Sequence, residues 1–314
     1  MEYRRIGRSG LKASVIGLGC NNFGLRIDYK ASLSVIHKAL DLGITFFDTA
    51  DRYGKGGLSE EFLGKALGKQ RVNVILATKF GNPVGDVRPA TGASRRHIIQ
   101  AVEASLKRLH TDWIDLYQIH RPNPETPIEE TLEALRDLIQ AGKIRYIGCS
   151  NFAAWQLVDA QWTAYSRNLT AFISAQNRYS LLDRNLEREI VPAALQHGVG
   201  VIPYSPLEDG FLTGKYKRGK QPYKGSRLAA WDTVRKTALT DTNFDKLAVV
   251  EKFAIERNRS LVDLALGWLA SQPHVATIIS GATKPSQIAA NVVAGEWRLS
   301  SEDLEELDAR LQAF

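Results

Sequence analysis

Eight times along the chain a short apolar run ends abruptly in polar residues and gives way to a stretch with helical spacing. The runs fall at 14–18, 44–48, 74–78, 113–119, 143–148, 171–175, 200–203 and 277–279. Short apolar strands of this kind are buried on both faces, which is the pattern of a parallel sheet covered by helices. Between them the helical period is explicit. Ile98, Val102, Leu106 and Leu109 step by four, four and three, and Ile128, Leu132, Leu135 and Ile139 share one face. Further helices are expected over 28–42, 59–67, 153–166, 185–197, 241–258 and 260–271, then from Pro285 through Asn291 and over 301–312. Gly43, Gly142 and Gly198 stand where helices stop. A hairpin over 3–12, turning at Arg8-Ser9-Gly10, precedes the alternation, and a long, basic, glycine-rich segment at 207–240 interrupts it.

Two architectures satisfy eight strand–helix units. A doubly wound open sheet that binds a dinucleotide needs G-x-G-x-x-G after its first strand. Here Gly17-x-Gly19 runs into Asn21-Asn22 and fails that test. The chain is therefore read as one domain, 1–314, an α/β fold of the (β/α)8 TIM-barrel type with an N-terminal hairpin and a C-terminal helix.

The net charge of +7 raises the question of nucleic acid. Its carriers are scattered (Arg4, Arg5, Arg95, Arg96, Lys215, Lys217, Arg218, Lys220), with neither the stripe nor the motif a nucleic-acid face requires. Lys217, Arg218 and Lys220 are read as solvated, while the loop around Lys215 could meet a phosphate. No run of roughly 18 apolar residues occurs, so no membrane span is expected. The first residues lack the apolar core of a secretory signal, and the two cysteines, Cys20 and Cys149, form no disulfide framework. A cytoplasmic protein is the expectation.

In a barrel of this type the chemistry sits at the carboxyl ends of the strands. The second run, TFFDTADRY, turns polar at Asp48 and reaches Tyr53 in its loop; the third ends at Lys79 and the fourth at His120. Asp, Tyr, Lys and His on three adjacent ends form a proton donor. A buried Lys79 ammonium would lower the Tyr53 pKa, Asp48 would neutralise that ammonium, and His120 would position a substrate oxygen. Asp51 and Arg52 read as loop structure. Later ends offer Ser150 and Asn151, Gln176, Tyr204 and Ser205, then Ser280 and Gly281.

At these residues the chain resembles the aldo-keto reductase superfamily over essentially its whole length, nearest the branch that includes potassium-channel β-subunits. The motifs are FFDTADRYGKGGLSEEFLGKAL, ATKFG, IDLYQIHRPNPETPIEETLEAL, GKIRYIGCSNF, AQNRYSLL, YSPLEDGFLTGKY and ISGATKPSQIAAN, in the family's order. The resemblance implies a catalytic tetrad of Asp48, Tyr53, Lys79 and His120 with Tyr53 as general acid, and NADPH/NADP+ extended across the barrel mouth. Ser150, Asn151 and Gln176 would hold the carboxamide, and Tyr204 would stack on the nicotinamide. Ser205, Leu207, Gly210 and Lys215 would line the pyrophosphate and ribose path, with Ser280 and Gly281 beside it. Lys284, Arg227 and Gln287 would meet the 2′-phosphate, and Asn291 the adenine. Two departures stand out: Ala290 replaces a common Glu, and the chain stops soon after its last helix. The substrate pocket is accordingly expected to be open, shaped by Asn22, Phe23, Tyr29, Phe80 and Arg121.

The resemblance implies NADPH-dependent reduction of an aldehyde or ketone to an alcohol, with a small-molecule carbonyl substrate and no metal. A regulatory NADP(H)-binding subunit with little turnover, or an NAD(P)-dependent sugar or alcohol dehydrogenase, are the alternatives. Relatives range from monomers to larger assemblies, so a homo-oligomer is compatible with the resemblance.

Overall fold

The computed structural model describes residues 1–84 and 92–312; most of the glycine- and proline-rich loop expected between Gly81 and Gly92 lies outside the described residues. An antiparallel hairpin, β1 (Tyr3–Arg5) and β2 (Lys12–Ser14), comes first. Eight parallel strands follow: β3 (Ile16–Gly19), β4 (Phe46–Asp48), β5 (Ile75–Phe80), β6 (Ile114–Ile119), β7 (Ile144–Ser150), β8 (Ser174–Arg178), β9 (Gly200–Tyr204) and β10 (Ile278–Gly281). Their order in the sheet is β10-β3-β4-β5-β6-β7-β8-β9. The ring is nearly closed by a bridge between Val201 and Val275, where Val201 N donates to His274 O at 3.0 Å and Ala276 N to Val201 O at 2.9 Å. Between the strands run α1 (Tyr29–Asp41), α2 (Tyr53–Leu67), α3 (Arg95–Leu109), α4 (Ile128–Gln140), α5 (Ala154–Ser166) and α6 (Ile190–His197). Two short helices, α7 (Arg227–Ala230) and α8 (Asp232–Ala238), sit in the interrupting segment, and α9 (Asp241–Glu256), α10 (Leu261–Ser271), α11 (Pro285–Ala294) and α12 (Ser301–Leu311) complete the chain.

The two-residue period of a strand explains what the barrel encloses. Phe46 in β4, Ile75 and Ala77 in β5 and Leu116 in β6 point inward and join Ile202, Ala276 and Ile279 in one apolar cluster. Ile6 and Ala13 of the hairpin belong to the same cluster, so the hairpin stoppers the barrel at the amino ends of its strands. Phe47, Leu76 and Tyr117, one residue on, face outward into the core between sheet and helices. Two residues beyond the apolar layer, the same inward faces carry Asp48, Lys79 and Gln118.

The structure shifts several sequence-based boundaries, each for a local reason. Ser14 belongs to the hairpin, because its Oγ accepts from Thr45 N at 3.0 Å and its own N donates to Thr45 Oγ1 at 3.0 Å. The strand expected at 171–175 is Ser174–Arg178, because the Gln161 amide holds both Phe172 N (3.0 Å) and Phe172 O (3.1 Å) outside the ladder. The helix expected over 185–197 breaks into a 3₁₀ turn, Asn185–Arg188, and α6. Pro192 tolerates only the first turn of a helix, so α6 starts just before it. Residues 54–57 at the start of α2 form a left-handed turn with φ of 70°, 61°, 94° and 108°, three of them glycines, so the right-handed helix begins at Leu58.

Helix α2 lies close against α3 because Gly64 offers no side chain: a Cβ there would come within 2.5 Å of the Leu109 carbonyl carbon and oxygen. Backbone cannot yield as a side-chain tip can. Gly64→Ala is expected to lower stability by about 1–3 kcal/mol, read as an earlier midpoint in urea denaturation; an unchanged midpoint would show that the two helices separate freely.

Candidate active site

The inward layer above the apolar floor is polar, and its charged pair is hydrogen-bonded on every side. Lys79 is buried, and its Nζ donates to Asp48 Oδ2 at 2.5 Å and to Thr49 O at 2.8 Å. The other Asp48 oxygen, Oδ1, accepts from Gln176 Nε2 at 2.9 Å and Gln118 Nε2 at 3.3 Å. Four strands thus meet on one carboxylate. Buried charges persist only when paired and hydrogen-bonded on every lobe. Burial alone would favour a neutral Lys79 amine, but Asp48 and Tyr53 outweigh it and hold the ammonium pKa above its ordinary value.

Tyr53 lies over this pair, with Lys79 Nζ 5.1 Å from its ring centroid, and meets His120 edge-on at 5.7 Å. The sequence reading expects Lys79 to draw the phenol pKa down, and the net direction is the reverse. Burial raises it, Lys79 pulls it back only in part, and the Asp48 charge adds to the rise. His120 is pushed down to about 2 by burial and then by Lys79, Arg52 and Arg121. It is a neutral imidazole at any ordinary pH. Its backbone carbonyl accepts from Asn151 Nδ2 at 3.0 Å, and Tyr204 Oη donates to Asn151 Oδ1 at 2.8 Å.

A cavity of about 800 Å³ opens from this centre. Asp48, Tyr53, His120, Arg121, Ser150, Asn151, Gln176 and Tyr204 line one part, with Asn22 beside them. It continues past Ser205, Leu207, Gly210, Lys215, Arg227 and Gly281 to Lys284, Gln287, Ala290 and Asn291. Lys79 lies beneath the wall. Ser280 is turned into the sheet, its Oγ donating to Gly17 O at 3.2 Å. Three residues expected in the substrate pocket do not line it. Phe23 is wholly buried, Phe80 stacks on Tyr117 at 4.8 Å on the outward face of β5, and Tyr29 packs edge-on against Phe62 at 5.3 Å on α1.

Several residues that the sequence reading passed over shape the site. Gln118 holds Asp48; a Gln at an inward position of an otherwise apolar strand was its one signal. Arg178 Nη1 donates to Asp209 Oδ2 at 3.1 Å, and Arg227 Nη1 to Asp209 Oδ1 at 3.2 Å, tying the loop after β9 to the end of β8. Arg26, after β3, donates to Gly225 O at 2.7 Å and so reaches the same loop from another strand end. Arg26, Lys215 and Arg227 crowd one stretch of the wall. Burial and then its cationic neighbours Arg26 and Arg227 hold Lys215 below its ordinary pKa, and burial followed by Arg26 acts likewise on Arg227 against the pull of Asp209. Arg218, read as solvated, pairs with Asp241 at 3.3 Å and with Asp245.

Asp51 needs a different account from loop structure. It is 2% exposed, and neither carboxyl oxygen meets a side-chain donor among the described residues. Nearby Glu60 takes Thr78 Oγ1 at 2.5 Å and Arg108 Nε at 2.7 Å, so the available donors are spent on it. Burial, then the Glu60 charge, raises the Asp51 pKa from 3.8 to about 8, with Arg108 opposing.

The family model described as Aldo/keto reductase family matches residues 15–312. Among similar proteins, an uncharacterised oxidoreductase of Bacillus subtilis, YrpG, is 38% identical over 98% of this chain and 95% of its own length. A probable voltage-gated potassium channel subunit beta of Arabidopsis thaliana is 37% identical over 94% of this chain and 91% of its own. Versiconal hemiacetal acetate reductase of Aspergillus parasiticus is 36% identical over 98% and 96%.

A buried acid with a raised pKa contributes stability that is complete below its unfolded value and is lost as pH rises toward about 8. Between about pH 5 and pH 8 the protein should lose on the order of 1 kcal/mol per pH unit from this group. Asp51→Asn, which keeps the shape and removes the titration, should flatten that slope in urea denaturation across pH. An unaltered slope would assign it to another group.

Proposed function

The chain belongs to the aldo/keto reductase family, and from that premise we propose that it reduces an aldehyde or ketone to the alcohol with NADPH, Tyr53 giving the proton. The observation that carries this is the ammonium of Lys79 buried beneath the Tyr53 ring and locked by Asp48, which Gln118 and Gln176 saturate. Because the phenol pKa is raised, Tyr53 Oη stays protonated at neutral pH, as an acid must before it acts. As the proton leaves, the phenolate forms beside Lys79 Nζ, whose charge is already in place and needs no solvent to rearrange. Neutral His120 can hydrogen-bond the carbonyl oxygen from the other side without competing as a charged acid.

The residues present fit a nicotinamide dinucleotide. Three cations repelling one another in a part-buried wall are stabilised by an anion, and a pyrophosphate supplies one. When bound, NADPH supplies the hydride. Gln176 spends its Nε2 on Asp48 and keeps Oε1 for the carboxamide, with Ser150 and Asn151 beside it. Tyr204 would stack on the nicotinamide. Ser205, Leu207, Gly210 and Lys215 border the pyrophosphate path, and Arg227, which the resemblance assigns to the 2′-phosphate, joins them in this reading because it crowds Lys215 and Arg26. Lys284 and Gln287, at the far end of the cavity, would hold the 2′-phosphate, and Asn291 the adenine. Ala290 beside them offers no carboxylate to the ribose or base.

Tyr53→Phe is expected to lower kcat by roughly 10²–10⁴ while NADPH binding, followed by its fluorescence, persists. Turnover at the wild-type rate would remove Tyr53 as donor, and tight NADPH binding with no turnover of any carbonyl in the wild type would favour the regulatory-subunit reading. Lys284→Ala should weaken NADPH about tenfold, about 1.4 kcal/mol, with NADH affinity unchanged. Equal weakening of both would separate Lys284 from the 2′-phosphate.

A further inference from the structure

Apart from Arg178, which is paired with Asp183, Glu208 and Asp209, the cavity's cations fall into two groups, and only one is explained by a dinucleotide. Arg26 follows β3, Lys215 and Arg227 follow β9, and Lys284 follows β10, neighbouring positions in the sheet order β10-β3-β4-β5-β6-β7-β8-β9 with β9 closing on the chain ahead of β10. Arg121 follows β6, which is four strands from β10 in either direction around the ring and so diametrically across the mouth from Lys284. It lines the same cavity, immediately after His120, and its charge acts on both His120 and Tyr204, the groups at the catalytic end.

The acids of the cavity wall are all engaged elsewhere. Asp48 is bonded to Lys79, Asp209 to Arg178 and Arg227, and Asp263 caps α10 through Ser260. Among the described residues Arg121 makes no ion pair, and its exposed guanidinium keeps a fork of donors that matches carboxylate or phosphate. Arg121 and His120 line the same cavity and the Arg121 charge acts on the His120 ring, so an anion held by Arg121 would lie near a carbonyl held by His120.

We propose that the substrate is a short carbonyl compound bearing a carboxylate or phosphate, with Arg121 as the residue that selects the anionic group. This rests on the carbonyl-reductase reading above. Charge-assisted bonds of this type discriminate by tenfold or more, and the preference should shrink as ionic strength rises.

The test measures kcat/KM with NADPH for two matched pairs: succinic semialdehyde against butanal, and glycolaldehyde phosphate against glycolaldehyde. The wild type should favour the anionic member at least tenfold in one pair or both, the pair identifying carboxylate or phosphate. Arg121→Ala should collapse that ratio and Arg121→Lys should keep part of it. Because each ratio is taken within one preparation, a misfolded fraction cancels. Reduction of butanal and glycolaldehyde without any anionic preference, or a preference that survives Arg121→Ala, overturns the role of Arg121 and leaves the reductase reading standing. Failure of the wild type to oxidise NADPH with any of the four overturns both.

Discussion

Everything at the mouth of this barrel depends on keeping one ammonium charged where there is almost no water. Desolvating an ion costs several kcal/mol, and a bare pair does not recover that cost. Here the Lys79–Asp48 contact is completed by the Thr49 carbonyl and by two glutamine amides. Those partners come from β4, β5, β6 and β8 and converge only if the strands keep their register around a curved sheet. The electrostatics of the site and the closure of the fold are therefore one requirement. Removing Asp48 or Lys79 would leave the other's charge buried without its counter-ion.

The fold was legible because period and punctuation agree along most of the chain. Where the structure departs, a particular side chain intervened, as Gln161 did by drawing Phe172 off the ladder. Asp48, Tyr53, Lys79 and His120 could be placed because strand ends face one mouth. The direction of the Tyr53 pKa could not, since burial and three charges contend and only their distances rank them. Phe80 was misplaced for a related reason: an aromatic at a strand end faces either cavity or helix layer, and one residue of register decides which. Phe23 and Tyr29, beyond the end of β3, turn into packing that no strand period reports. Asp51 looked like any loop acid because nothing in its neighbours' names says that Glu60 takes the donors.

The long segment after β9 escaped the period altogether. It is held by side chains: Asp209 bridges Arg178 and Arg227, Ser205 Oγ donates to Asp209 at 3.3 Å, and Arg26 grips Gly225 from the loop after β3. These ties join the loops after β3, β8 and β9, which border the crowded cations. A loop anchored by charges that repel their neighbours is tightened when an anion arrives, because the anion relieves the repulsion and leaves the ties intact.

The hairpin that stoppers the barrel has a consequence for traffic. Ile6 and Ala13 fill the amino ends of the strands, so the centre at Asp48 and Lys79 has no rear exit. Reactant, product and any larger molecule lying along the wall would therefore share the cavity that opens from this centre. A molecule seated at Asp48 and Tyr53 and a longer one lying along the wall toward Asn291 would each narrow the approach of the other.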